Sequence, residues 1–189
     1  MPVRPARLPE GYYNAALDLL DRNLEEGRGA ATAVIDDAGR YSYAELTERA
    51  NRFANALEGL GFQREDRLLL ALLDSVDFPT VFLGAIKAGV IPIPVNTLLT
   101  AADYAGMLAD SGARGLVVSE PLRGKFDLAL QGRSLRAVVV SGGEGDTLQA
   151  LLAKAAPQHE PAATHADDFC FWLYSSGSTG SPKGAVHLH

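Results

Sequence analysis

Between Arg67 and Tyr174 the chain alternates short unbroken apolar runs with stretches of helical spacing. The runs are Arg67–Leu73, Val90–Val95, Arg114–Ser119, Arg136–Val140 and Phe169–Tyr174. Helical patterns lie between most of them. One covers Pro79–Ala88, with Pro in its first turn and Gly89 at its end. A second covers Thr100–Asp110, opening on a capping-box pattern and closing near Gly112. A third covers Leu148–Ala156 and stops at Pro157, and a short fourth covers Phe126–Leu130. Strand, helix, strand, helix is the pattern of an α/β fold, a parallel sheet flanked by helices. Arg136–Val140 and Phe169–Tyr174 are apolar on successive residues, which suits strands covered on both faces.

Ahead of this region, Ala31–Ile35 and Arg40–Tyr43 bracket Asp36-Asp37-Ala38-Gly39, a hairpin turn. Ser42 and Glu45 then form the capping box of a long helix. Its apolar residues Leu46, Ala50, Phe53, Leu57 and Leu60 recur at the helical period, and Gly59 and Gly61 end it. The polar, Pro-containing segment Pro157–Asp168 is expected to be a surface loop. No repeat with a period of about 20–50 residues is visible.

Composition narrows the function classes. The formal net charge is −6, and no basic block is present, which argues against a general nucleic-acid binder. A single cysteine, Cys170, excludes an internal disulfide framework and a cysteine-based zinc cluster. The first ten residues carry three prolines and no apolar core, unlike a secretory signal. The run Leu68–Leu73 is too short to span a bilayer. A cytoplasmic protein without membrane or nucleic-acid partners is the expectation.

The chemistry concentrates in Ser175-Ser-Gly-Ser-Thr-Gly-Ser-Pro-Lys-Gly184, directly after the last apolar run. That run reads as a buried strand of the sheet, so the loop is expected outside the carboxyl ends of the strands, where such sheets bind ligands. Gly177, Gly180 and Gly184 free the backbone to aim N–H groups at a ligand. Five hydroxyl residues add short donors, and Lys183 adds a mobile positive charge. No strong base is present, so the loop suits an anion with several oxygens, most simply a polyphosphate. It is not a Walker A loop. Counting from Gly177, the second required Gly is Pro182, and Gly184 stands where Ser or Thr must follow the Lys. A flexible Gly/Ser linker is the plainer alternative, but it would not need Pro-Lys-Gly behind an apolar strand.

Tyr174–Gly184 resembles the phosphate-binding signature of the adenylate-forming (AMP-binding) superfamily, which includes acyl- and aryl-CoA ligases. His189 stands where that family commonly has a His. Tyr41–Leu46 resembles an early Y-x-E-L motif, and Leu83–Asn96 resembles a K-A-G motif followed by Pro. In Gly84–Arg114 and Phe171–His189 the texture is similar to benzoate-CoA ligases and their hydroxybenzoate relatives. The resemblance implies that residues 1–189 are an incomplete N-terminal part of the large AMP-binding domain, ending just after the phosphate loop at 174–184. It implies an acid–thiol ligase using ATP, Mg²⁺ and coenzyme A, with an aryl carboxylate as substrate. Ser175, Ser176, Gly177, Ser178, Thr179, Gly180, Lys183 and Gly184 would contact the ATP phosphates, with Thr179 and Lys183 in catalytic roles. The adenine, acyl and lid contacts of that superfamily lie beyond His189, so these residues alone are expected to be inactive. Alternatives are a domain that loads a carrier protein and a non-catalytic truncated nucleotide-binding protein. No metal site is expected. His187 and His189, two apart, could share a strand face but lack an evident third ligand. Cys170 and Trp172 read as core residues, and Asp167 and Asp168 as solvated loop acids.

Overall fold

The computed structural model describes residues 3–176 and 182–189. Its first elements are two five-residue helices, α1 (Ala15–Leu19) and α2 (Asp21–Glu25). They precede a hairpin of β1 (Thr32–Asp36) and β2 (Gly39–Ser42). The Asp36 carboxylate accepts the Ala38 and Gly39 N–H groups, closing the turn, and also accepts the Val76 N–H. Helix α3 (Tyr43–Gly59) starts on the expected capping box, with both Ser42 and Glu45 hydrogen bonds formed.

The body is a four-stranded parallel sheet. Its strands are β3 (Arg67–Ala71), β4 (Ile91–Pro94), β5 (Gly115–Ser119) and β6 (Ala137–Ser141), in the order β4-β3-β5-β6. Their connections are α4 (Asp77–Lys87), α5 (Ala101–Ser111), and a 3-10 helix (Glu120–Phe126) running into α6 (Asp127–Leu130). Helix α7 (Thr147–Lys154) follows β6. Alternate residues of each strand serve opposite faces. Leu68 and Leu70 of β3, Val117 of β5 and Val139 of β6 pack against α3, α4 and α7. Leu69 and Ala71, Leu116 and Val118, and Val140 pack against α5, the 3-10 helix and α6. Burial on both faces is why these strands are apolar on successive residues.

The helix boundaries follow local chemistry. Thr100 and Asp103 form the second capping box, and Gly112 ends α5 in the left-handed conformation at φ +59°. Gly84 lets α3 and α4 approach closely, since a Cβ there would stand 2.7 Å from the Ala50 carbonyl oxygen. Lys87, in the last turn of α4, is fully buried and meets Asp21 of α2 at 2.7 and 3.0 Å. Burial pushes its pKa down, and the Asp21 carboxylate opposes that shift.

The run Phe169–Tyr174 departs from expectation. It forms β7 (Phe169–Ser176), which pairs antiparallel with β8 (Pro182–Leu188) in a separate two-stranded sheet. The reason lies in β4. The Ile91 N–H bonds to the Asp66 carbonyl just before β3, and the Val95 N–H, just after β4, bonds to the Leu70 carbonyl of β3, so the intervening Pro92 and Pro94 turn their donor-less nitrogens outward. An edge with two prolines cannot continue the ladder. Strand β7 lies alongside that edge without joining the sheet. Nor is it covered on both faces, since Phe169 is 51% and Leu173 40% exposed.

Segment 157–168 is a loop as expected, but it is not merely superficial. His159 and Thr164 are buried within it. Asn51, Arg52 and Asn55 of α3 reach carbonyls between Leu152 and Gln158 and bind the segment down. Among the described residues, no helix is long and apolar enough to cross a membrane.

Candidate functional site

The described ends of the hydroxyl- and glycine-rich segment, Ser175–Ser176 and Pro182–Gly184, belong to the antiparallel pair β7–β8 rather than to a strand of the parallel sheet. That corrects the expected placement at the carboxyl ends of the sheet strands. There the chain's own groups are mutually engaged. Ser119 Oγ accepts the Leu73 N–H at 3.0 Å, Ser141 Oγ donates to Asp77 Oδ2 at 2.6 Å, and Arg49 pairs with Asp77.

At the hairpin, Tyr174 pairs with Gly184, Ser175 with Lys183, and Ser176 with Pro182. The register therefore sets Lys183 across from Ser175, and both residues are exposed. Of the expected phosphate contacts, Gly177, Ser178, Thr179 and Gly180 lie outside the described residues. Gly184 sits in regular strand, and its φ is not in the left-handed region, so it is not a turn glycine. A Cβ there would stand 3.5 Å from the Tyr174 ring, an ordinary contact.

Both ends of the hairpin are fixed to the body. At the open end, Cys170 is buried with Ala16 and Ile86, and burial pushes its thiol up to about 11, which makes it an inert core residue. Phe171 meets Phe82 edge-on and stacks on His187 at 4.4 Å. His189 Nδ1 accepts the Ala15 N–H at 3.1 Å, and burial lowers its pKa. The two histidines are thus held by protein groups. Among the described residues, no group of three or more His, Cys, Asp or Glu could hold a metal ion. Asp168 is not simply solvated, since it pairs with Arg64 and accepts the His165 N–H.

Toward the loop, Trp172 and Tyr174 pack on the cluster formed with α5. The Tyr174 hydroxyl donates to Asp110 Oδ2 at 2.6 Å. Burial, then the bond to Asp110, hold that hydroxyl protonated well above its ordinary range. A groove of about 350 Å³ runs between hairpin and helix, lined by Asp103, Gly106, Met107, Asp110, Tyr174 and Pro182 among others. Sequence reasoning named Tyr174 but not Asp110. Asp110 stands 64 residues away, and no local pattern links the two.

Comparison with known proteins shows the family. The profile of the family described as AMP-binding enzyme matches residues 20–189. A benzoate–CoA ligase of Thauera aromatica is 56% identical over 97% of this chain and 35% of its own length. The crystal structure of a benzoate CoA ligase from Burkholderia xenovorans LB400 superposes with a TM-score of 0.83 at 45% identity, over 94% of this chain and 35% of that one. An anthranilate CoA ligase, solved in complex with anthranoyl-AMP, gives a TM-score of 0.88 at 35% identity, over 96% of this chain and 34% of its own. The chain thus spans about a third of the length of the relatives it matches. A profile match over most of its residues, and a fold shared at this level of identity, make the chain a member of the AMP-binding enzyme family.

Proposed function

We propose that these residues are the N-terminal portion of the large domain of an ATP-dependent aryl–CoA ligase whose substrate is benzoate or a close analogue. The carrying observation is the Tyr174–Gly184 phosphate signature, whose described ends pair in an anchored hairpin, in a chain 56% identical to a benzoate–CoA ligase. A carboxylate oxygen of the acid attacks the α-phosphorus of ATP, and the bond from that phosphorus to the bridging oxygen breaks. Pyrophosphate leaves with the electron pair, and an acyl-adenylate remains. The sulfur of coenzyme A then attacks the acyl carbon, AMP departs, and the thiol proton is lost.

The loop's part in this reaction is electrostatic. Negative charge builds on the pyrophosphate oxygens as the bond breaks. Hydroxyls of Ser175, Ser176, Ser178 and Thr179, N–H groups at Gly177, Gly180 and Gly184, and the Lys183 ammonium would stabilise it. The loop's donor set, rich in hydroxyls and N–H groups and free of carboxylates, fits phosphate rather than a resident cation. Mg²⁺ would therefore enter with the nucleotide. A substrate set of ATP and coenzyme A supports a cytoplasmic location on this reading.

The experiment is a competition in the intact protein. Benzoate should exceed a long-chain fatty acid by at least about a hundredfold in kcat/KM, roughly what 2.7 kcal/mol of pocket discrimination gives. A preference for the fatty acid would remove the aryl assignment and leave family membership standing.

A further inference from the structure

The hairpin is fixed at two places of different character. Its open end is held by several independent contacts, with Cys170 buried, Phe171 against Phe82, and His189 on the Ala15 N–H. Its loop-proximal end meets α5 through two aromatic rings and the Tyr174–Asp110 hydrogen bond. Tyr174 immediately precedes Ser175 and pairs with Gly184, the neighbour of Lys183. A rotation of the hairpin root would therefore displace Ser175 and Lys183 together. The aromatic packing resists separation but not sliding. A short bond between a hydroxyl and a carboxylate is directional and fixes the angle. Asp110 itself is exposed and belongs to the last turn of α5, a helix whose opposite face carries buried Tyr104 and Leu108. The acceptor thus stands on a rigid element.

We propose that Asp110, acting through the Tyr174 hydroxyl, is a positioning residue that sets the orientation of the phosphate-binding hairpin, and with it Ser175 and Lys183, against the α/β body. This rests on the reading of Ser175–Gly184 as the phosphate site. Tyr174→Phe keeps the ring and its packing and removes only the donor. Asp110→Ala removes the acceptor, whereas Asp110→Asn keeps one.

The test uses the intact protein and two readouts, amide hydrogen exchange across β7 and β8 and the steady-state kinetics of benzoate adenylation. Tyr174→Phe and Asp110→Ala should each speed exchange in the hairpin about three- to tenfold, the range expected for one net hydrogen bond. Exchange in β3 and β5 should stay unchanged. Both variants should lower kcat/KM for ATP by a similar factor, and the double variant should be no worse than either single one. Asp110→Asn should restore both readouts. Unchanged hairpin exchange in Tyr174→Phe would overturn the anchor. Faster exchange with unchanged kcat/KM would overturn the positioning role. Asp110→Asn behaving like Asp110→Ala would show that carboxylate charge matters rather than the bond. A wild-type protein that adenylates no carboxylate would instead sink the phosphate reading, and exchange alone would still decide the anchor.

Discussion

The four-stranded body and the β7–β8 hairpin solve opposite problems with similar residues. In the body, Leu69, Leu70, Ile93 and Val117 are fully buried, and even a lysine, Lys87, is enclosed with its own carboxylate. In the hairpin, Phe169, Leu173, Val186 and Leu188 are 40–51% exposed. Its fixed points are a buried cysteine, an edge-on aromatic contact and a hydroxyl–carboxylate bond. The body draws its stability from area buried on both faces. The hairpin carries the donors and the cation and is held at its margins. Dense packing would cover the groups proposed to face the phosphates.

The largest stability effect should come from the enclosed ion pair. Asp21→Ala leaves Lys87 buried without a counter-charge and should cost about 3–5 kcal/mol. Lys87→Met together with Asp21→Leu should recover most of it. If Asp21→Ala melts like the wild type in denaturant titration, the pair contributes nothing to the body.

Acidity tests the strap over α3. Burial, with a smaller push from the Lys87 charge, lowers His159 from 6.5 to about 4. Its Nδ1 faces Asn55 Oδ1 at 2.9 Å. Because the unfolded chain takes the proton first, this contribution is intact above about pH 6.5 and is lost as pH falls toward 4. At roughly 1.4 kcal/mol per pH unit, the loss amounts to about 3 kcal/mol by pH 4. Unfolding measured at pH 7 and at pH 5 should show this slope, and His159→Gln should flatten it. An equal slope in the variant would assign the loss to other groups.

A smaller contrast compares two glycines. An alanine Cβ at Gly84 would press within 2.7 Å of the Ala50 carbonyl oxygen. Gly84→Ala should therefore cost about 1–3 kcal/mol. At Gly184 the same Cβ finds 3.5 Å of room beside Tyr174, and Gly184→Ala should change the melting midpoint little. Equal losses at the two sites would break the contrast between body and hairpin.

These differences also explain what the sequence made legible. The capping boxes at Ser42 and Thr100, the stops at Gly89 and Gly112 and the strands β3 to β6 are local signals, and the structure contains all of them. Helices α1 and α2 are five residues each, too short to hold by propensity, and form because Ala16 and Leu20 are buried. The exclusion of β7 from the sheet depends on which edge of β4 its prolines face, a property of pairing rather than of the run itself. The Tyr174–Asp110 bond and the buried His159 are long-range juxtapositions with no periodic trace. The motif Tyr174–Gly184 was legible because its hydroxyls, glycines and Lys183 stand in one contiguous stretch of sequence.

The central claim is that this hairpin holds the phosphates of ATP during adenylation, and separating the two half-reactions tests it most directly. Lys183 is exposed, so Lys183→Ala should leave the fold's stability unchanged within about 0.5 kcal/mol. In the intact protein, Lys183→Ala and Thr179→Ala should each slow benzoate-dependent ATP–pyrophosphate exchange by about ten- to a hundredfold, as loss of a charge-assisted hydrogen bond worth roughly 1.5–3 kcal/mol implies. Thioester formation from supplied benzoyl-adenylate should change by less than about threefold, because no pyrophosphate leaves in that step. Equal losses in the two half-reactions, or undiminished exchange in Lys183→Ala, would contradict the assignment.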